Sequence, residues 1–403
     1  MKKFVLFFLV VFSFVGFGQW QQTNGPTGGY VSSFAVSGSN MFAGSWIYGV
    51  SLSTNNGMSW VAVNNGLTSL FIASITLTGS NIFAGTSGGG VFLSTNNGTS
   101  WTAVNTGLTN LYVRAIAVSG SNIFVGTQNG IFLSSNNGTN WITVNTGLTS
   151  TYVYALAING TNIFAGTAAG GVFLSTNKGT SWNVINNGLP TSISGISLNV
   201  SGSNIFLGTQ NGIFLSTNNG TNWTSVSSGL PSNTNINTLA VWGSYIFAGT
   251  WGSGIFRSSN NGLNWTAVNT GLTSLSIYAI TTSGLNLFAG NTTSSVWQRP
   301  LSEFIAGVND KNNKNALIFS LLQNYPNPFN PSTTISYALP VESNVRLSVY
   351  NNLGQVVSEL RNGVEKAGSH SVDFNAAGLA SGVYFYTLRA GEFVETKKLI
   401  IMK

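Results

Sequence analysis

The 403-residue chain contains no cysteine, so no disulfide and no lipid-modified cysteine anchor is available to it. Stability has to come from packing and backbone hydrogen bonds. Charge is equally scarce: only 6% of residues are Asp, Glu, Lys or Arg. The eight acidic residues (Glu303, Asp310, Glu342, Glu359, Glu365, Asp373, Glu392 and Glu395) all lie beyond position 302, as does the single histidine, His370. Residues 19–302 thus contain no Asp, Glu, His or Cys. That excludes the usual general acids and bases at neutral pH, the ordinary zinc ligands and any carboxylate for calcium. Hence the sequence predicts no enzyme there, no catalytic residue, no cofactor and no metal. Nucleic acid is excluded on distribution. Of the fifteen Lys and Arg, only Arg114, Lys178, Arg257 and Arg299 fall within 19–302, and they are dispersed, whereas phosphate binding needs a basic stripe.

Long apolar runs are confined to the start. Met1-Lys2-Lys3 and the run Phe4 to Val15, followed by Gly16 and Gly18, predict a secretory signal peptide over 1–18, cut before Gln19. The run is shorter than the roughly 20 residues a spanning helix needs. No transmembrane segment is expected after the signal is removed.

What the chain has in abundance is self-similarity. A Phe-x-Gly element recurs at Phe42, Phe83, Phe124, Phe164, Phe206, Phe247 and Phe288, at gaps of 40 to 42 residues. A tryptophan follows the same period at Trp60, Trp101, Trp141, Trp182, Trp223 and Trp265. Between 111 and 146 one period reads as four short strands separated by Gly- and Asn-rich turns, with no helical periodicity. Such a unit is a propeller blade. The seventh copy stops at Pro300 without its fourth strand. The missing piece is Trp20-Gln21-Gln22-Thr23-Asn24-Gly25, 40 residues ahead of the matching Trp60 segment. Trp20 is therefore expected to close the ring by completing the last blade, which removes two exposed sheet edges. The predicted fold class is all-β: a seven-bladed propeller over 19–302, a linker over 303–322 and a β-sandwich over 323–403.

A turn motif, Ser-x-Asn-x-Gly-x-x-Trp, occurs six times. Its residues are Asn55, Gly57 and Trp60; Asn96, Gly98 and Trp101; Asn136, Gly138 and Trp141; Asn177, Gly179 and Trp182; Asn218, Gly220 and Trp223; Asn260, Gly262 and Trp265. It resembles the Asp-box of bacterial-neuraminidase repeats, sortilin-type propellers and photosystem-assembly propellers, with Asn where that motif usually carries Asp. The resemblance implies a turn between the third and fourth strands, on the face away from the ligand site. The expected roles are structural: Asn closes the turn onto backbone N–H groups, Gly takes positive φ, and Trp packs between blades. A sialidase-like glycosidase, the enzyme this resemblance brings into view, would need paired carboxylates that residues 19–302 lack.

The opposite face holds Tyr30, Phe71, Tyr112 and Tyr152, each twelve residues before a repeat Phe, together with Trp46, Tyr48, Gln128, Gln210 and Trp251. Arg114 is the one charged side chain expected near them. Blades five to seven carry Ser194, Asn235 and Ser276 at the Tyr30 position, which confines the expected aromatic arc to one side. Two readings stay open: a ligand face suited to neutral glycan or a polar peptide, or plain packing at the blade tops.

Beyond 322, Tyr325-Pro326-Asn327-Pro328-Phe329-Asn330-Pro331, Val349-Tyr350-Asn351-Asn352-Leu353-Gly354-Gln355, Ser381-Gly382-Val383-Tyr384 and Lys397-Lys398 appear in order among alternating short strands. This stretch resembles the type A C-terminal sorting domain of the type IX secretion system. The resemblance implies export, with the secretion machinery as a partner of 323–403, and a secreted or cell-surface location. The function expected is a non-catalytic binding or adhesion propeller; a scaffold or assembly factor like the photosystem-assembly propellers is the alternative.

Overall fold

The computed structural model describes residues 19–403 except 27, 28, 293, 294, 307–318, 323, 325, 326, 340, 392 and 403. The signal peptide at 1–18, most of the expected linker, and Tyr325-Pro326 of the sorting motif lie outside the described residues. The chain divides into two compact units, Met1–Ile305 and Ala306–Lys403.

In the first unit, residues 21–300 form seven four-stranded antiparallel sheets. Blade 1 is built from Val31–Ser37, Asn40–Ser45, Gly49–Ser53 and Val61–Ala62. Five copies follow, with inner strands beginning at Ile72, Val113, Val153, Gly195 and Ile236. Blade 7 takes Ile277–Ser283, Asn286–Asn291 and Val296–Pro300 from the end of the repeat, and Gln21–Gln22 from its beginning. Gln21 pairs with Gln298 and Gln22 with Trp297, so the ring closes as the 40-residue offset requires.

The cores sit between blades. Phe83, Phe124, Phe164, Phe206, Phe247 and Phe288, each the Phe of a Phe-x-Gly, are fully buried. The box tryptophans donate their indole N–H groups into the preceding blade, as Trp141 does to the Val104 carbonyl at 2.7 Å and Trp182 to Val144 at 2.8 Å. Trp20 makes the equivalent bond to Val268 at 2.6 Å. Trp60 reaches Thr23, three residues after Trp20 as Val104 is three after Trp101, but bonds its hydroxyl at 3.3 Å. The N-terminal strand thus stands where a fourth strand stands in the other blades. The close approach also explains a glycine in each of six blades: a Cβ on Gly107, at φ +85°, would lie 2.2 Å from the Trp141 carbonyl oxygen.

The Asn turns are closed as their residues predict. In the third blade Ser134 Oγ accepts from the Gly138 N–H at 2.9 Å and donates to Asn136 Oδ1, which accepts from the Asn140 N–H at 3.0 Å. Gly138 has φ +82°, and the residue before it, Asn137, is also left-handed at +55°. Lys178 occupies that left-handed position in blade 4.

The boundaries differ slightly from those read off the sequence. A five-residue helix, Ser302–Ala306, follows blade 7 and buries Leu301 and Phe304 against Phe247 and Trp297. Arg299 pairs with Glu303 at 2.9 Å and lies over the Phe304 ring; Arg257 also donates to the Phe304 carbonyl. Residues 303 and 304 therefore belong to the propeller unit. The first described strand of the second unit, Ser320–Leu321, lies inside the stretch expected to be linker. It is a sandwich of a three-stranded and a four-stranded sheet around Ile335, Tyr337, Leu347, Val349, Tyr386 and Leu388. Its motif residues serve as structure: Asn327 Oδ1 accepts from the Ile400 N–H, Phe329 bonds Ile400 and Met402, and Asn351 closes the turn to Gln355. Among the described residues no helix is long and apolar enough to cross a membrane.

Candidate functional site at the mouth of the propeller

In an antiparallel meander the turns after strands one and three lie at one end, and those after strands two and four at the other. The Asn turns follow strand three. The segments holding Tyr30 and Trp46 precede strand one and follow strand two, so they share the opposite end. Backbone bonds fasten these two segments in each of several blades: Trp46 N–H to the Tyr30 carbonyl at 2.9 Å, Ser87 to Phe71, Gln128 to Tyr112 and Trp251 to Asn235.

A β-bulge then aims a third position at this end. The pairing of the first two strands slips between Val31 and Ser33, between Val113 and Ala115, and at the matching point of every other blade. The extra residue is Ser32, Ala73, Arg114, Tyr154, Ile196, Asn237 or Tyr278 in blades 1 to 7. Bulges of this kind re-aim a side chain and recur beside functional sites. In otherwise near-identical blades, this position carries seven side chains of which only the two tyrosines agree.

The side chains gather into one arc. Tyr30 stacks on Tyr278, with centroids 5.8 Å apart and planes 4° apart, and Trp251 meets Tyr278 edge-on at 5.6 Å. Through its backbone bond to Trp46, Tyr30 joins this stack to a second group. The Arg114 guanidinium lies 5.0 Å from the Trp46 ring centroid and 5.8 Å from that of Tyr152. Trp46 belongs to blade 1 and Arg114 to blade 3, so the contact spans blade 2, which carries the small residues Ala73 and Ser87 at the matching positions. Arg114 Nη2 donates to the Tyr152 hydroxyl at 2.9 Å, and Tyr152 packs on Tyr154 at 4.8 Å.

The structure distributes the expected residues unevenly. Tyr30, Trp46, Arg114, Tyr152 and Trp251 come together. Phe71 and Tyr112 are about half exposed. Tyr48 turns aside into a cleft of about 240 Å³ with Pro26, Trp60 and Leu70. The arc is not confined to blades 1 to 4, as the Ser194, Asn235 and Ser276 positions suggested. Tyr278 and Trp251 carry it through blades 7 and 6, from positions other than that of Tyr30. Tyr154 and Tyr278 escaped the sequence reading; aligning the second residue of each inner strand would have exposed them.

Electrostatically the arc has one fixed charge. Burial pushes the Tyr154 phenol up, its neighbour Tyr152 adds to the rise, and Arg114 opposes it. Burial likewise raises Tyr278, with Tyr30 contributing. These phenols are neutral donors at physiological pH, and Arg114 is the cation among them. Among the described residues no group of three His, Cys, Asp or Glu could hold a metal ion. The arrangement offers flat aromatic faces, hydroxyl and amide partners and a single positive charge.

Residues 323–402 match the family model of the secretion system C-terminal sorting domain, and residues 74–205 match that of the DUF6242 beta propeller domain. Comparison with curated protein sequences finds no match. Among solved structures, YCF48 from Cyanidioschyzon merolae is similar at 14% identity and TM-score 0.57, over 70% of this chain and 99% of its own. PorZ, a surface component of the type IX secretion system of Porphyromonas gingivalis, matches at 15% identity and TM-score 0.53, over 94% of this chain and 60% of its own. A GH74 xyloglucanase from Xanthomonas campestris matches at 13% identity and TM-score 0.56, over 79% of this chain and 59% of its own. At such identities the structural likeness establishes the fold alone. The chain joins a DUF6242-type β-propeller to a type IX secretion sorting domain and is a secreted or cell-surface protein.

Proposed function

We propose that the propeller is a non-catalytic extracellular binding module whose ligand, a glycan, rests on the aromatic arc at the mouth of the ring. The observation that carries this reading is the arc itself. Three side chains from blades 6, 7 and 1 meet in sequence, Trp251 edge-on to Tyr278 and Tyr278 stacked on Tyr30, and Trp251 is 59% exposed. The exposed Trp251 and Tyr30 rings, with the Gln128 amide and phenol hydroxyls further along the arc, suit the apolar faces and hydroxyl rims of sugar rings.

The absence of chemistry is part of the same proposal. A xyloglucanase shares the fold, but glycoside hydrolysis generally uses two carboxyl groups flanking the scissile bond. Residues 19–302 supply none, and the raised Tyr154 and Tyr278 are poorly suited to act as bases. A peptide ligand is the second reading, because one structure of YCF48 is described as bound to a D1 peptide.

A glycan array probed with the mature protein, followed by calorimetry on the hits, tests the reading. Substituting Trp251→Ala or Tyr278→Ala is expected to weaken binding roughly 10-fold or more, on the scale of about 1–3 kcal/mol for burying an aromatic side chain. No bound glycan, or binding indifferent to both substitutions, would sink it. Turnover of any bound oligosaccharide would overturn the non-catalytic part.

A further inference from the structure

We infer that Arg114 makes the mouth selective for an acidic glycan, engaging the carboxylate of a uronic-acid residue; the inference rests on the glycan reading above. An arginine inside a protein normally finds an acidic partner or several hydrogen-bond acceptors. Arg114 has neither. No carboxylate exists in residues 19–302, and Glu303, the nearest in sequence, is bonded to Arg299. Among the described residues one of the five guanidinium N–H groups is donated, from Nη2 to the Tyr152 hydroxyl. Nε is shut off from solvent and has no acceptor among the described residues.

The guanidinium is nonetheless held firmly. Trp46 and Tyr152 sit against it as cation–π partners, and the bulge at Arg114 fixes where its side chain leaves the strand. Its charge is therefore oriented, uncompensated and placed on the aromatic arc. A planar carboxylate meeting the edge of a planar guanidinium forms two parallel charge-assisted hydrogen bonds, an arrangement that lysine cannot reproduce. The two other cations inside the ring's repeat that contact aromatic rings, Arg257 and Arg299, already have acceptors in the Phe304 carbonyl and Glu303. Arg114 is the one placed at the mouth.

A glycan fits this environment better than an acidic peptide. Strand addition would need a free sheet edge, and helix docking an aliphatic groove. The mouth offers instead stacked rings with amide and hydroxyl groups around them, the complement of a sugar ring carrying one acid group.

The test compares tri-galacturonic acid with its fully methyl-esterified form, titrated into the full mature protein by calorimetry. The two differ in charge and not in ring structure. The acid is expected to bind roughly 10- to 100-fold more tightly, the range for a hydrogen bond to a charged group, and to weaken as salt is raised. Arg114→Gln should erase the difference, and Arg114→Lys should recover only part of it. Equal affinities for acid and ester would overturn the role of Arg114 while leaving the glycan reading standing. Binding of neither, in a protein that binds no glycan on the array, would overturn both. Capture of acidic peptides with no response to galacturonate would overturn the carbohydrate assignment. The ligand comparison uses the unaltered protein, so it decides the matter even if the Arg114 variants fold poorly.

Discussion

Trp20 is the residue whose removal tests the ring most directly. Its side chain is 2% exposed within the last core, its indole N–H bonds the Val268 carbonyl, and its backbone N–H bonds Thr270 at 2.8 Å. Trp20→Ala should destabilise the propeller by about 3–5 kcal/mol, the range for deleting a large buried aromatic. The lost hydrogen bond adds little, because Val268 also accepts from Arg299 at 3.3 Å. Trp141→Ala removes the same indole from the same environment within the ring and should cost a similar amount. The two variants should differ in how their sheets respond. The strand after Trp141 is tied to its own blade by the Asn136 turn, whereas Gln21–Gln22 reaches blade 7 with no covalent link to it. Loosening Trp20 should free that strand and expose the edge of Val296–Pro300, inviting pairing with a second molecule. Guanidinium unfolding followed by circular dichroism gives the stabilities, and light scattering after size exclusion gives the mass. A Trp20→Ala protein that stays monomeric and within about 1 kcal/mol of the parent, beside a Trp141→Ala protein that loses the full amount, would show that the N-terminal strand does not hold the ring closed.

Lys178 stands in the left-handed region at φ +56°, where five other boxes place asparagine; Lys178→Asn should stabilise blade 4 by up to about 1 kcal/mol, read as a higher denaturation midpoint. Scanning calorimetry of the mature chain at pH 5 and pH 3 should show a propeller transition that moves less than that of the sandwich, since residues 19–302 contain no carboxylate or histidine and Glu303, paired with Arg299, is the one acidic residue of the propeller unit. The sandwich transition should fall: Asn362 and Arg346 hold the Glu359 carboxyl below its usual range, so its contribution is present above the unfolded pKa and lost as pH drops through the folded one. At the alkaline end, burial pushes the Tyr386 phenol up to about 12, so the sandwich should keep this contribution below about pH 10 and lose it from there towards pH 12. Tyr386→Phe removes bonds to Leu322 and Asn324 and should cost about 1–3 kcal/mol at neutral pH while flattening that alkaline loss.

The sequence announced the scaffold and hid the mouth for a single reason. Scaffold positions are governed by constraints that repeat: Phe83 and Phe124 fill the same hole, Gly107 and Gly147 clear the same carbonyl, and Asn96 and Asn136 close the same turn. Periodicity makes such residues visible, and the missing fourth strand of the last copy was enough to assign Trp20. The mouth depends on contacts between blades that no local pattern encodes. Trp46 of blade 1 meets Arg114 of blade 3 across blade 2, a contact that no single repeat predicts. The bulge that aims Arg114, Tyr154 and Tyr278 leaves no mark in a strand that reads simply as β-branched and aromatic. The helix at Ser302–Ala306 was missed because five residues are too few to show a period, and its one ion pair, Arg299–Glu303, reaches back to the preceding strand and not along the helix.

The lack of acidic residues in the ring has two consequences that belong together. Each turn that resembles an Asp-box is closed by a neutral amide: Asn136 Oδ1 accepts from Asn140, as a carboxylate would, without adding charge. Six carboxylates in their place would give the far end of the ring a strong negative potential, and would make its stability fall in acid. With asparagine the frame is indifferent to pH across the range where carboxylates titrate. The same economy of charge leaves Arg114 with no competitor inside the ring. A guanidinium surrounded by internal carboxylates would have its field cancelled before any ligand arrived. Here the field is met only by neutral phenols and an indole, and an anionic ligand is the first group able to neutralise it.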